Sequence, residues 1–209
     1  MIKSAQFQCI KTIVLGILVM TLITAPVFAA RQPDEVVRIN KTYVSRDGFH
    51  PGESITAAVE IEMIPGWHIH SHDPGDEFLI PTEILLDDDP MIENAEIFYP
   101  EPIKQKYSYA DTELMVYEAK VYFGILLHPV DDLNPGAYKV KGKFSFQTCD
   151  DSSCLPPKSI EFEINFVVVE NSVETNAINS KVFSDIVFEK TKYRSSYSSI
   201  EERSIFFSH

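Results

Sequence analysis

An all-β chain, folded as an immunoglobulin-like antiparallel β-sandwich, is what this sequence predicts, and three observations carry the prediction. Thirteen prolines, fourteen phenylalanines and nine tyrosines against eight glycines describe a turn-punctuated, aromatic-rich chain, a composition that favours strands over a helical bundle. Apolar residues alternate with polar ones at period two in several windows, the signature of half-buried strands. Turn dipeptides separate those windows at regular intervals.

In chain order, strands are expected at about eight places. Residues 35–45 form the first. In 53–63, Ile55, Ala57, Val59, Ile61 and Met63 alternate with polar positions. Residues 67–71, 82–86, 95–99 and 115–128 are less regular strand candidates. In 137–148, Tyr138, Val140, Phe144 and Phe146 alternate against Lys139, Lys141, Lys143 and Gln147, and in 159–168 the pattern repeats with Ile160, Phe162, Ile164, Phe166 and Val168. Asp47-Gly48, Pro51-Gly52, Pro65-Gly66, Asp73-Pro74-Gly75, Pro100-Glu101-Pro102, Asn134-Pro135-Gly136 and Pro156-Pro157 are the turns between them. Trp67, the one tryptophan, is expected in the sandwich core.

The first 29 residues are expected to be an export signal rather than part of the fold. Lys3 and Lys11 precede an apolar run at 13–27, and Val27-Phe28-Ala29 places small residues where signal peptidase needs them. The run is shorter than the roughly 20 residues of a spanning helix. Cys9 would leave with that segment, so the exported chain keeps the pair Cys149 and Cys154. An exported compartment permits a disulfide between them. Residues 30–170 hold 26 acidic and 11 basic residues with twelve prolines, whereas 171–209 hold five of each charge and no proline or glycine. The second stretch is read as a polar C-terminal tail: a short amphipathic helix through Ile178, Val182 and Ile186, then a loose Ser-rich end. The formal net charge of −13 argues against nucleic acid and anionic lipid as partners.

The chemistry concentrates in Cys149-Asp150-Asp151-Ser152-Ser153-Cys154-Leu155-Pro156-Pro157, a connection between two good strands that carries both thiols. Three readings stay open. A bridge closing a six-residue loop contributes only about 2 kcal/mol by chain entropy, a weak reason for a staple, although a local structural bridge in a non-catalytic exported binding domain is a common arrangement. A zinc site would need two further ligands. A reversibly oxidised pair needs only an accessible sulfur with its partner close enough to resolve a mixed disulfide. Asp150 and Asp151 would disfavour a thiolate at Cys149 and Lys158 would favour one at Cys154, unless all three are simply solvated. His68, His70 and His72 form a separate candidate. On one strand they would share a face about 6.5 to 7 Å apart, a copper or zinc set only if the strand bends or an outside ligand joins, since three ligands on a flat strand do not converge.

Pro65-Gly66-Trp67-His68-Ile69-His70-Ser71, Asp73-Pro74-Gly75-Asp76, Pro81-Thr82-Glu83, Tyr99-Pro100-Glu101-Pro102 and Phe146-Gln147-Thr148-Cys149 with Cys154-Leu155-Pro156-Pro157, in that order, make residues 35–170 resemble the N-terminal periplasmic domain of the thiol:disulfide interchange protein DsbD. The resemblance implies an immunoglobulin-like domain with protein-disulfide reductase activity. It takes electrons from thioredoxin-like proteins or domains fed by a membrane protein, and passes them to oxidised periplasmic proteins, including disulfide isomerases and thiol proteins of cytochrome c maturation. It also implies that Cys154 forms the mixed disulfides, that Cys149 resolves them, and that no cofactor takes part. His68 and His70 stand where the family has aromatic residues near the cysteine loop. Three features depart from the family. The family's membrane domain has no counterpart in these 209 residues, so a stand-alone module served by a separate membrane electron transmitter is expected. The Asp-Glu-Phe-Tyr-Gly cap motif is missing from the matching stretch at 103–109, where Tyr107 and Tyr109, together with His68 and His70, are the candidates for shielding the site; Asp76-Glu77-Phe78 falls too early to replace it. The tail after Glu170 has no counterpart.

Overall fold

The computed structural model describes residues 36–188. The export signal, with Lys3, Lys11, Cys9 and Ala29, and the Ser-rich end at 194–199 lie outside the described residues. Eleven strands follow in chain order: β1 (Val37–Val44), β2 (Ile55–Met63), β3 (His68–His70), β4 (Glu83–Leu86), β5 (Ile92–Phe98), β6 (Ile103–Lys106), β7 (Glu113–Glu118), β8 (Lys120–Pro129), β9 (Gly136–Phe146), β10 (Thr148–Cys149) and β11 (Lys158–Val168). Among the described residues, a short helix, α1 (Ser180–Ser184), comes after them. All strand pairs are antiparallel and form three sheets, ordered β1-β2-β8-β5, β11-β9-β4 and β10-β3-β7-β6. The fold is the all-β sandwich expected from the alternation.

Alternation places the core. Val140, Phe144 and Phe146 of β9 and Phe162, Ile164, Phe166 and Val168 of β11 are buried, with the lysines and glutamates between them outside. They meet Ile55, Ala57, Val59 and Ile61 of β2 and Phe123, Ile125 and Leu127 of β8 in one continuous cluster. Phe123 and Phe144 make an edge contact across the two layers at 5.2 Å between ring centroids. Burying such side chains stabilises by about 1.5–3 kcal/mol each, so this cluster is the main source of stability.

Two of the points at which the chain changes sheets build the site. Ala119, at φ 57°, separates β7 from β8, and its carbonyl accepts the Met63 N–H at 2.6 Å. The single strand expected over 115–128 is therefore two strands in different sheets. A left-handed alanine gives no sequence warning, because glycine or asparagine usually marks such a position. At Gln147 the chain leaves β9, and Thr148–Cys149 pair with Ile69 and His68 instead. β6 was not expected either. Its residues Ile103, Lys104, Gln105 and Lys106 are all exposed, so no burial pattern marks it, and its pairing with β7 creates it.

Two further expectations need correction. Trp67 is only partly buried, packed on the edge of the core just before β3. The tail helix holds Val182 alone of the three residues expected on it: Asn179 takes φ 57° at its start, Ile178 donates its N–H to the Ser45 carbonyl, and Ile186 follows the helix. The described tail is also held to the sandwich, through Arg46 to Thr175 at 2.7 Å, Asn176 N–H to Asp47 at 2.7 Å and Phe188 against Phe98 at 5.1 Å. Ile186 and Phe188 lie over Gly124, where a Cβ would meet them at 2.8 and 2.9 Å. Ala58, the β2 residue paired with Gly124, is fully buried although it falls on the outward positions of the alternation.

Candidate active site

Cys149 and Cys154 are joined by a disulfide, with Cα atoms 4.0 Å apart. The loop between them is closed by its own backbone: Asp150 N–H donates to Ser153 O at 2.9 Å, and Leu155 N–H to Thr148 O at 2.8 Å. Asp150 Oδ1 accepts the N–H groups of Ser152 and Ser153, each at 2.8 Å, and the Ser152 hydroxyl at 2.9 Å. Those hydrogen bonds, led by the Ser152 N–H, hold the Asp150 carboxyl below its ordinary value. Asp150 is thus a turn-forming side chain of the kind that Asx motifs use, more than a loose loop carboxylate. Lys158 starts β11, paired with Phe146.

The two sulfurs sit in different surroundings. Cys149 is fully buried and Cys154 is partly exposed. Behind Cys149 stands His70, itself fully buried, with Nε2 3.6 Å from Cys149 Sγ and Nδ1 3.2 Å from the Ile80 carbonyl oxygen. A carbonyl oxygen only accepts, so Nδ1 carries the proton and Nε2 turns its lone pair to the sulfur. Burial lowers the His70 pKa, which keeps the ring neutral. Thr82 fixes the strand behind it by donating its hydroxyl to the His70 carbonyl.

His68 lines the adjoining wall. Its ring stacks on Tyr107, centroids 3.9 Å apart and planes at 16°, and its Nε2 lies 2.7 Å from the Tyr109 hydroxyl. Burial, assisted by the nearby His70, pushes its pKa down to about 4. Tyr107 donates its hydroxyl to Glu118 Oε1 at 2.8 Å, and its own pKa is raised by burial and by that carboxylate. Burial likewise pushes Tyr109 up to about 12. The turn between the two tyrosines is tied to the cysteine loop by Ser108, whose hydroxyl donates to the Asp151 carbonyl. The β6–β7 hairpin therefore stacks two aromatic rings on His68 and is tied to the cysteine loop, although it carries no cap motif.

The three histidines do not form one site. His72 stacks on Tyr99 at 3.9 Å and meets the Thr82 carbonyl at 3.2 Å, lining a separate cleft of about 530 Å³ with Ser71, Glu96 and Tyr117. Among the described residues, the potential ligand atoms that come together are those of His70, Cys149 and Cys154. Period two did put His68 and His70 on one face. What sequence reasoning missed was the β10–β3 pairing that sets Cys149 opposite His68, since a two-residue strand has no periodicity to read. Glu118, Ser108 and the Ile80 carbonyl, which orient the site, carried no signal at all.

An immunoglobulin-like β-sandwich with a cysteine pair at a sheet edge, backed by an imidazole and walled by aromatic rings, is the class that fold and site define. The chain belongs to the family described as the N-terminal domain of the thiol:disulfide interchange protein DsbD, whose profile matches residues 40–165. Among solved structures, it is similar to the N-terminal periplasmic domain of ScsB from Proteus mirabilis, with 17% identity and a TM-score of 0.48 over 75% of this chain and 54% of that one. It is also similar to the reduced DsbD N-terminal domain of Neisseria meningitidis, with 12% identity and a TM-score of 0.38 over 70% and 94% of the two chains. The chain thus spans about half the length of the ScsB domain it matches. No curated protein sequence matches it.

Proposed function

We propose that this chain is a periplasmic thiol:disulfide exchange module that works through Cys149 and Cys154. The observation that carries the reading is the asymmetry of the pair, with Cys154 partly exposed and Cys149 buried. In-line attack needs a reachable sulfur and a leaving sulfur opposite it. A thiolate of a reduced thioredoxin-like donor attacks Cys154 Sγ, the Cys149–Cys154 bond breaks, and its electron pair leaves on Cys149. The donor's second thiolate then attacks its own sulfur in the mixed disulfide and frees Cys154, so the donor is oxidised and this chain reduced by two electrons. In the second half-reaction Cys154 attacks the disulfide of an oxidised periplasmic protein, and Cys149 attacks Cys154 Sγ to release that protein reduced. Thiolates and protons suffice for every step.

The export signal at 1–29, an exchange domain at 30–170 and a tail at 171–209 belong to the same reading, as does a separate membrane protein that reduces the thioredoxin-like donor. Disulfide isomerases and thiol proteins of cytochrome c maturation are the acceptor class. His68, Tyr107 and Tyr109 shield the pair from small thiols, the part that the family's cap motif plays elsewhere.

Mixed-disulfide trapping tests the role of each cysteine. Cys149→Ala leaves Cys154 with no internal route of release and should accumulate intermolecular adducts in periplasmic extract on non-reducing gels, while Cys154→Ala should accumulate few. Equal trapping by both variants overturns the assignment of roles, and trapping by neither overturns the exchange function.

A further inference from the structure

The geometry points to a second use of the same three side chains: in the reduced protein, Cys149 Sγ, Cys154 Sγ and His70 Nε2 form a binding site for one thiophilic d10 cation, Cu(I) or Zn(II). The inference rests on the exchange reading only in that the pair must be reducible. Two thiolates five positions apart are too few ligands, and the third comes from a residue 79 positions away in sequence, brought in by the pairing of β10 with β3.

Three observations fit a metal ligand better than a packing histidine. The ligand atoms of His70, Cys149 and Cys154 all lie within 4.8 Å of one another. Zinc takes sulfur at about 2.3 Å and imidazole nitrogen at about 2.0–2.1 Å, which in a tetrahedral site sets the two ligand atoms about 3.6 Å apart. The His70 Nε2 to Cys149 Sγ separation is 3.6 Å. The other ring nitrogen is held by the Ile80 carbonyl at 3.2 Å, the outer partner that metal-bound imidazoles commonly keep to fix tautomer and direction. Nε2 is thereby left as a lone pair aimed at sulfur. Soft thiolates with an imidazole select Cu(I) or Zn(II) over harder cations.

Redox state gates the site. In the disulfide, both sulfurs are spent on each other and neither carries the charge that a cation needs. After two-electron reduction by a partner dithiol, each thiol gives its proton to solvent as it binds the metal, and Cys154, on the exposed side, leaves an entry path and an open position. Cu(I) is satisfied by the three protein ligands; Zn(II) takes water as a fourth. Oxidation of the pair by a partner disulfide re-forms the S–S bond and releases the cation unchanged in valence, while the partner takes up the two electrons.

Anaerobic titration of phosphine-reduced, desalted protein, in one arm with Zn(II) and in another with Cu(I), each against a chromophoric chelator, tests this. One equivalent of at least one of the metals should bind, binding should be lost in the oxidised protein, and His70→Ala should weaken it by more than the roughly 10- to 100-fold that loss of an outer-shell partner costs. His50→Ala and His128→Ala should bind as wild type does. Because His70→Ala removes a buried ring, nitrogen NMR of the wild-type imidazoles gives the same reading without a variant: His70 Nε2 should shift on loading while the rings of His50 and His128 stay put. Failure of both metals to bind, equal binding by oxidised protein, an unmoved His70 resonance, or one metal shared by two chains each overturns the inference. Such a failure with mixed-disulfide trapping intact leaves the exchange function standing, and the reverse result leaves the metal site standing.

Discussion

His68 and Tyr107 lie face to face, ring centroids 3.9 Å apart and planes at 16°, and this stack joins β3, which pairs with the strand carrying Cys149, to the β6–β7 hairpin that Ser108 ties to the cysteine loop. Tyr107 is anchored from behind by Glu118, so the ring holds its place without a partner protein.

If the stack shields the pair, Tyr107→Ala should speed reduction of the disulfide by glutathione by roughly tenfold, a barrier change of about 1.4 kcal/mol. Tyr107→Phe keeps the ring and removes only the hydrogen bond to Glu118. It should leave that rate unchanged and cost about 2 kcal/mol of stability, as for a hydrogen bond to a charged group. Stopped-flow reduction and urea melts of the two variants separate shielding from anchoring, and an unchanged rate in Tyr107→Ala rules shielding out.

The fold was legible where side chains alternate over a long strand. Val140, Phe144 and Phe146, like Ile160 through Val168, state in sequence which face is buried, because a strand packed on one side must repeat every two residues. The site was legible only in part. Cysteine chemistry and the Trp67–Ser71 motif marked its two halves, yet their contact depends on β10, two residues long, and on Ala119, a left-handed residue without a side chain that predicts it. Ile103–Lys106 escaped because a strand exposed along its whole length has no apolar face to betray it. The tail was misread for a related reason: Ile178, Val182 and Ile186 fit helical spacing, but Ile178 is held by the β1 edge and Ile186 by Gly124, tertiary contacts that override a weak local preference.

Tyr43 and Glu60 pair on the first sheet, hydroxyl to carboxylate at 2.6 Å. Burial of Glu60 opposes its ionisation, but the hydrogen bonds from Tyr43 and Asn40 and the charge of Lys120 outweigh it, and its pKa ends below the ordinary 4.5. The same hydrogen bond pushes Tyr43 from 10.0 up to about 12. The lowered acid contributes stability above pH 4.5 that is lost as pH falls through its folded value; the raised phenol contributes below pH 10 and is lost as pH rises through about 12. Tyr43→Phe should therefore cost about 2 kcal/mol at pH 7, and its deficit against wild type should be smaller at pH 3, because the stability tied to the lowered Glu60 acid is lost as pH falls below 4.5 through its folded value. Urea melts at both pH values check this, and a deficit constant with pH contradicts it.

Removal of residues 171–209 should destabilise the sandwich by about 1–3 kcal/mol, since it strips Thr175 and Asn176 from Arg46 and Asp47 and uncovers Phe98 and Gly124. Gly124→Ala should destabilise in the same direction, because its Cβ would press on Ile186 and Phe188, and the two changes combined should cost less than their sum. Thermal melts of both variants and the double variant decide it; additivity within error would mean that the tail does not cover Gly124.

Exchange requires a domain that survives losing its own disulfide, and the structure places the bond where that loss is tolerable. The loop between Cys149 and Cys154 is held by Asp150 and its serine partners and by the Leu155 to Thr148 hydrogen bond, none of which involves sulfur. The core cluster of β2, β8, β9 and β11 includes neither cysteine. Opening the bond therefore frees only a six-residue loop, about 2 kcal/mol by chain entropy, which for a chain of this size lowers Tm by roughly 4–8 °C. Melts of oxidised and reduced protein should both show one cooperative transition, separated by that interval. A staple whose removal unfolded the domain would abolish the reduced transition altogether, and the pair could not then act as an electron carrier, because each reduction would cost the fold that positions Cys154 for the next exchange.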